Sequence, residues 1–248
     1  MTKTFIFSDM LSRAGAINAV SLRVEGMPDY FSMRRNGNGK GEDCRAKNRQ
    51  KFFQSLGFNE LSVARAGQVH GDNITFVESS GSYPDTDGFV TRNKNLLLAI
   101  SVADCVPILV ADNKSQTIAA VHAGWRGTAR RIAGEVIDFM VNELSGDPKN
   151  IFAFIGPSAG VCCYEVGEEV AKHFHDGEIM KSSNPGKFML DLKAANFSQL
   201  IDHGVFRENI EVSEYCTIHD TNFHSFRRDG TESGRMLAVI GLKKGIVE

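Results

Sequence analysis

The sequence predicts an α+β fold built on mixed or antiparallel sheets. Three observations carry that expectation. Apolar runs of strand length follow one another across short turns, as in Leu96–Val102, Val106–Ala111 and Thr117–Val121, with Asp112-Asn113-Lys114-Ser115 between the last two. Helical stretches are interspersed with strands, without the regular βαβ alternation of a doubly wound sheet. No segment repeats. A chain of 248 residues can bury a sizeable core, and residues 1–248 are read as a single domain.

The elements follow from local composition. Thr4–Ser8 and Ala19–Val24 read as strands by their β-branched and aromatic content. Arg34 to Gly41 is the most loop-like stretch and reads as a mobile surface loop. A helix is expected from about Glu42, with acidic residues in its first turn, apolar Phe52, Phe53 and Leu56, and Gly57 as its stop. Leu61–Ala66 reads as a strand. Thr128–Leu144 is the clearest helix: Ile132, Val136, Ile137, Met140, Val141 and Leu144 keep helical spacing, and Gly146-Asp147-Pro148 ends it. Beyond it, Ile151–Ile155, Ile210–Ser213 and Met236–Leu242 read as strands, and Gly167–His175 and Leu192–His203 as helices.

Three short segments carry residues able to hold a transition metal. They are Gln68-Val69-His70-Gly71, Ala103-Asp104-Cys105-Val106-Pro107 and His122-Ala123-Gly124-Trp125-Arg126-Gly127. A thiolate and two imidazoles bind zinc tetrahedrally with one position left for water or substrate, the mark of a catalytic rather than a structural site. The intervals are too wide for a zinc finger or for two ligands on one helix. Strand boundaries place Cys105 at a junction between strands, His122 where a strand gives way to a helix, and His70 after a strand, so a stiff scaffold would hold all three. Taken one at a time, such a cysteine commonly serves as a small core residue and such a histidine as a loop residue.

These segments resemble the YfiH/YlmD family, also called the laccase-domain or multicopper polyphenol oxidoreductase family. Ile155-Gly156-Pro157-Ser158-Ala159-Gly160-Val161-Cys162-Cys163-Tyr164-Glu165-Val166-Gly167 and Ser225-Phe226-Arg227-Arg228-Asp229-Gly230 extend the match, which runs from about residue 45 to the end. Carried over residue by residue, His70, Cys105 and His122 correspond to the family's zinc ligands. The resemblance implies a four-layer αββα sandwich distantly like the cytotoxic necrotizing factor catalytic domain. It also implies a zinc-dependent purine nucleoside enzyme that cleaves adenosine, inosine and methylthioadenosine with phosphate and deaminates adenosine. The start of the chain departs from the family: Ser12-Arg13-Ala14-Gly15-Ala16 and Phe31-Ser32-Met33-Arg34-Arg35 stand where members have a Gly-Gly-x-Ser turn and a Ser-Leu-Asn stretch.

The residues admit competing chemistries. Cys105 is a thiolate ligand in one reading and a nucleophile with His122 as base in the other. Asp104 is a candidate to orient a histidine or move a proton, against an ordinary role as a turn acceptor. Arg126, Arg227 and Arg228, with Arg235, are candidate anion ligands because the guanidinium fork suits phosphate; the alternative for Arg227, Arg228 and Asp229 is a solvated charge cluster. Tyr164, Phe223 and Phe226 are candidates to stack on a base, or simply core. His173 and His175 lie two apart and point to different sides of a helix, so they read as surface residues rather than a ligand pair. Cys162 and Cys163 read as two packed thiols, since a ring closed between neighbours is strained.

Zinc is the expected cofactor and copper the alternative. The chain has seven histidines in all, too few for a conventional four-copper oxidase, and mixed N/S tetrahedral donors suit zinc. A cysteine or zinc amidase editing a peptidoglycan precursor and a copper-dependent polyphenol oxidase are the alternative functions. Formal net charge is −2 with both signs interspersed, so no nucleic-acid partner is expected. No apolar run approaches the roughly 18 residues that span a membrane. Five cysteines and no signal-like start predict a reduced, cytoplasmic protein. The expected partners are a small nucleoside and phosphate, with a homodimer as the candidate assembly.

Overall fold

Alternation along the central strands decides the layers. On the strand Thr117–Ala123, Ile118 and Ala120 enter one hydrophobic core, while Ala119, Val121 and Ala123 enter a second. A strand buried on both faces must sit between two packed layers. A computed structural model describes residues 3–35 and 41–243 of the chain. Positions 36–40 of the expected surface loop lie outside the described residues.

In chain order, the first half contains β1 (Phe5–Ile6), α1 (Asp9–Arg13), β2 (Ala16–Ser21), α2 (Glu42–Ser55), β3 (Val63–Gly67), β4 (Ile74–Phe76), β5 (Gly81–Pro84) and β6 (Gly88–Thr91). The central part contains β7 (Leu97–Val102), β8 (Val106–Asp112), β9 (Thr117–Ala123), α3 (Trp125–Ala129), α4 (Ile132–Asn142) and β10 (Ile151–Ile155). The remainder is β11 (Glu165–Gly167), α5 (Glu168–Ala171), β12 (Ile179–Lys181), β13 (Lys187–Leu190), α6 (Leu192–Asp202), β14 (Ile210–Val212), α7 (Phe226–Asp229) and β15 (Met236–Leu242).

Two six-stranded mixed sheets face each other, ordered β1-β2-β15-β7-β3-β5 and β14-β10-β8-β9-β6-β4. Between them lies a core that includes Leu98, Ile100, Ile240, Leu109 and Ile118. Helix α2 lies on the first sheet, its Phe52 edge-on to Phe5 of β1 at 6.1 Å between ring centroids. Helices α4 and α6 cover the second sheet, where Val136, Ile137, Met140 and Leu200 pack with Val121 and Ile155. The architecture is therefore the four-layer αββα sandwich. A third, three-stranded sheet, β11-β13-β12, is separate from these.

Most expected elements are present, and the differences have local causes. The long helix expected over Thr128–Leu144 is two helices, because Arg131 turns left-handed (φ 63°) between α3 and α4. No Gly or Pro marks that break. The strand expected at Thr4–Ser8 stops at Ile6 because Ser8 caps α1, its hydroxyl accepting the Leu11 amide proton. The helix expected over Gly167–His175 is the short α5; beyond it His173 and His175 are exposed on either side of buried Phe174.

His224 is 3 % exposed, and burial, reinforced by the charge of Arg23, pushes its pKa from 6.5 down to about 4. The unfolded chain therefore binds a proton that the folded chain rejects between those values, so this residue costs stability as pH falls. The wild-type protein should lose roughly 2 to 3 kcal/mol more unfolding free energy than His224→Asn between pH 7.5 and 4.5. Urea unfolding of both proteins at the two pH values measures the difference.

Candidate metal centre

The three candidate ligands arrive from three different places. His122 is on β9 itself, one residue before its end, rather than beyond it, and is buried. Cys105 occupies the turn immediately before β8, and Val106 pairs with Ala123 across the β8–β9 ladder, which sets Cys105 beside Gly124. His70 is on the exposed loop between β3 and β4, with a left-handed backbone (φ 59°). One donor atom from each lies within 4.8 Å of the other two. The two imidazole rings stand edge to face, 4.9 Å apart.

Gly124 makes the convergence sterically possible. A Cβ there would lie 3.0 Å from His70 Cδ2 and 3.3 Å from Cys105 Sγ. Gly127 is similarly constrained, since its Cβ would meet the Gly71 carbonyl oxygen at 2.7 Å. The small residues of the His-Ala-Gly-Trp-Arg-Gly segment thus let the His70 loop close on the start of α3.

Asp87 organises two of the three ligands. Its Oδ1 lies 2.8 Å from His122 Nδ1, which leaves the other ring nitrogen for the cavity. The same carboxylate accepts backbone amide protons from Val69 (3.2 Å), His70 (3.1 Å) and Gly71 (2.7 Å). Asp87 is fully buried. Burial works against its charge, yet these donors, His122 first, hold its pKa below the usual carboxylate range. A carboxylate behind a histidine fixes the ring's tautomer and raises its basicity, the usual support for a metal-binding imidazole. Asp87 was not singled out in the sequence because Thr86-Asp87-Gly88 reads as an ordinary turn.

Burial disfavours the Cys105 thiolate, but the His122 charge and hydrogen bonds from His122 and His70 outweigh it, bringing its pKa to about 6. The same pairing, against burial, raises His122 to about 9. Without a cation the two form a thiolate–imidazolium pair. A divalent ion fits this set: one soft and two borderline donors, mutual approach of the donor atoms, carboxylate support behind one imidazole, and room kept by Gly124.

These residues floor a cavity of about 420 Å³ whose walls include Gln68, Ser101, Asp104, Tyr164, Phe226, Arg227 and Arg235. Gln68 clamps β7, donating to Ser101 O and accepting from Ser101 N. Both oxygens of Asp104 are engaged, Oδ1 with the Thr217 hydroxyl and Oδ2 with the Arg227 amide, each at 2.6 Å. The guanidinium of Arg227 lies over the Tyr164 ring, 4.9 Å from its centroid. Burial, then the Cys105 charge, raises the Tyr164 pKa, so its hydroxyl stays protonated at neutral pH.

The structure does not bring the other expected anion ligands here. Arg126 lies outside the cavity lining, over the Trp125 ring. Arg228 spends its guanidinium on the carbonyls of Thr217, Ile218 and Phe223 and on Asp229. Phe223 is buried core. Arg235, like Arg227 a candidate from the sequence, does line the cavity, and it also borders an adjoining hollow of about 740 Å³ lined by Arg34, Arg35, Arg49 and Arg65.

Fold and site together define an αββα protein with a two-histidine, one-cysteine cavity. The chain belongs to the family described as multi-copper polyphenol oxidoreductase laccase, which it matches over residues 36–243. It is 40% identical over 203 residues to a purine nucleoside phosphorylase of Deinococcus radiodurans, covering 80% of this chain and 78% of that protein. It is 38% identical over 170 residues to adenosine deaminase RL5 from an unknown prokaryotic organism, covering 66% and 64%. The crystal structure of YlmD from Geobacillus stearothermophilus superimposes with a TM-score of 0.89 at 30% identity over 98% of each chain. Among the described residues, no helix is long and apolar enough to cross a membrane.

The thiolate–imidazolium pair has a direct chemical signature. In chelator-treated protein, Cys105 should alkylate with half-maximal rate near pH 6, because its thiolate persists above that value. His122→Ala should move the midpoint upward toward an ordinary thiol. Iodoacetamide labelling across pH, read on the Cys105 peptide by mass spectrometry, checks both.

Proposed function

We propose that this protein is a zinc-dependent purine nucleoside enzyme. It would split adenosine, inosine and methylthioadenosine with phosphate and also deaminate adenosine. The observation that carries the reading is the convergence of His70, Cys105 and His122 at the floor of a cavity walled by Tyr164 and Phe226, with Arg227 and Arg235 stacked against them. The names of the relatives, purine nucleoside phosphorylase and adenosine deaminase, point the same way.

His70, Cys105 and His122 would hold the ion, which when bound supplies Lewis acidity and activates water near neutral pH. Tyr164 and half-exposed Phe226, each with a guanidinium over one ring face, would give the purine aromatic contact, and Tyr164 presents a protonated hydroxyl. Arg227 and Arg235 attract phosphate through charge-assisted hydrogen bonds. In phosphorolysis a phosphate oxygen bonds to ribose C1′, the C1′–N9 bond breaks, and the purine leaves with a proton on nitrogen. In deamination water adds at C6 and ammonia departs. Asp104, occupied on both oxygens, would position the Arg227 amide and the Thr217 hydroxyl rather than carry the proton.

The Cys105–His122 pair also favours a second reading, a cysteine amidase acting on a peptidoglycan precursor, in which the thiolate attacks. Activity assays separate the two. Nucleoside turnover should vanish on chelation and return with zinc; full activity in a verified metal-free preparation would promote the cysteine mechanism. Stoichiometric copper with phenol oxidation would instead establish the oxidase.

Arg227→Ala and Arg235→Ala should each raise the KM for phosphate on the order of 10-fold or more, the worth of one charge-assisted hydrogen bond. Adenosine deamination, which uses no phosphate, should change far less. Steady-state kinetics of inosine phosphorolysis and adenosine deamination in both variants give the comparison.

A further inference from the structure

A second cluster of metal-binding side chains lies outside the lining of the cavity. Cys162, Cys163, Cys216 and His219 each offer one donor atom, and these four atoms lie within 4.8 Å of one another. His219 Nδ1 is 3.6 Å from the sulfur of Cys162 and 3.6 Å from that of Cys163. The sequence shows the first two cysteines as an adjacent pair, but nothing in it announces that Cys216 and His219 join them.

The fold brings them together at the ends of two neighbouring strands. β10 and β14 run parallel, so the chain leaves both at the same edge of the sheet. The two loops then stay in register: Ser158 and Cys216 form a parallel bridge, and the Thr217 amide donates to Ser158 O at 2.9 Å. The Gly160 amide donates to Cys216 Sγ at 3.2 Å. A Cβ on Gly160 would lie 3.0 Å from Cys216 Cβ and 3.3 Å from the sulfurs of both Cys162 and Cys216, so the glycine keeps the centre of the cluster open. Behind Cys216, the Lys193 ammonium donates to the carbonyls of Ser213 (2.6 Å) and Tyr215 (2.8 Å) and stiffens the loop.

The donor chemistry is selective. Three thiols and one imidazole make a closed four-ligand set of the kind that holds structural zinc, with no position left for substrate. Soft sulfur donors favour zinc over magnesium, calcium or manganese. That differs from the first centre, which has three donors and an open cavity. We propose that Cys162, Cys163, Cys216 and His219 hold a second, structural zinc ion that ties the 156–164 loop to the 213–219 loop.

The tie has a consequence for the cavity. Tyr164 follows Cys163 directly. Thr217 follows Cys216 and donates its hydroxyl to Asp104, whose other oxygen accepts the Arg227 amide. The second ion would therefore brace the wall that carries Tyr164, Asp104 and Arg227 without touching substrate.

The test is metal content of the full chain, purified under reducing conditions without added metal. The wild-type protein should carry two zinc ions per chain, and His70→Ala/His122→Ala should keep one. Cys216→Ser and the milder His219→Ala, whose ligand is exposed, should each lose one and keep the other. In cobalt-substituted His70→Ala/His122→Ala, thiolate-to-metal charge-transfer absorption should remain, and chelation should lower Tm by several degrees. One zinc in the wild type that disappears in His70→Ala/His122→Ala would overturn the second site. A disulfide within the cluster in the reduced, purified protein would overturn it as well. One zinc that persists in that double variant would support the second site while removing the first, so the two assignments fail separately.

Discussion

One carboxylate holds the candidate centre together. Asp87 sits immediately before β6, fully buried, and receives four hydrogen-bonding groups: three successive backbone amides of the His70 loop and the ring of His122. Its own backbone oxygen accepts the His122 amide at 2.8 Å, so strand pairing and side-chain bonding fix the same histidine. A buried anion is costly unless its lone pairs are filled, and filling them here immobilises two ligands that the chain presents far apart in sequence. The site therefore depends on a residue that would not itself bind the ion.

That anchoring explains how the loop tolerates its backbone. His70 (φ 59°) and Asp104 (φ 84°), the latter beside Cys105, both take left-handed conformations. Such residues each cost on the order of 1 kcal/mol and persist where surrounding bonds over-determine them. Asp87 supplies those bonds for His70. For Asp104 they come from Thr217 and Arg227, and its backbone oxygen accepts the Ala159 amide. The strained turns aim His70 and Cys105 at the end of β9, while the sandwich beneath keeps that strand end stationary.

The sequence made the chemistry-bearing residues legible and left their supports hidden. His70, Cys105 and His122 stand in segments of small neighbours next to strand-length apolar runs, and packing keeps those runs as strands. Met236–Leu242 was legible to the residue because it is apolar throughout and buried on both faces. Thr128–Leu144 was not, because its apolar stripe belongs to α4 and the break at Arg131 is conformational, without a Gly or Pro to mark it. Asp87, Thr217 and His219 act across tertiary contacts and carry no local pattern. The arginines were half legible: their type suggested an anion site, but only the folded chain shows that Arg227 and Arg235 line the cavity and that Arg228 does not.

Zinc affinity of Asp87→Asn tests the dependence on that carboxylate most directly. Competition titration against a chromophoric chelator, in a background lacking the Cys162 cluster, isolates the first centre. The substitution keeps the shape of the side chain and removes its charge and one acceptor. Affinity should fall roughly 10- to 100-fold, as for loss of a partner behind a metal-binding histidine, while circular dichroism shows the sandwich intact. Unchanged zinc affinity in a folded Asp87→Asn protein would contradict the account, because His70 and His122 would then be held in place without the carboxylate that bonds both.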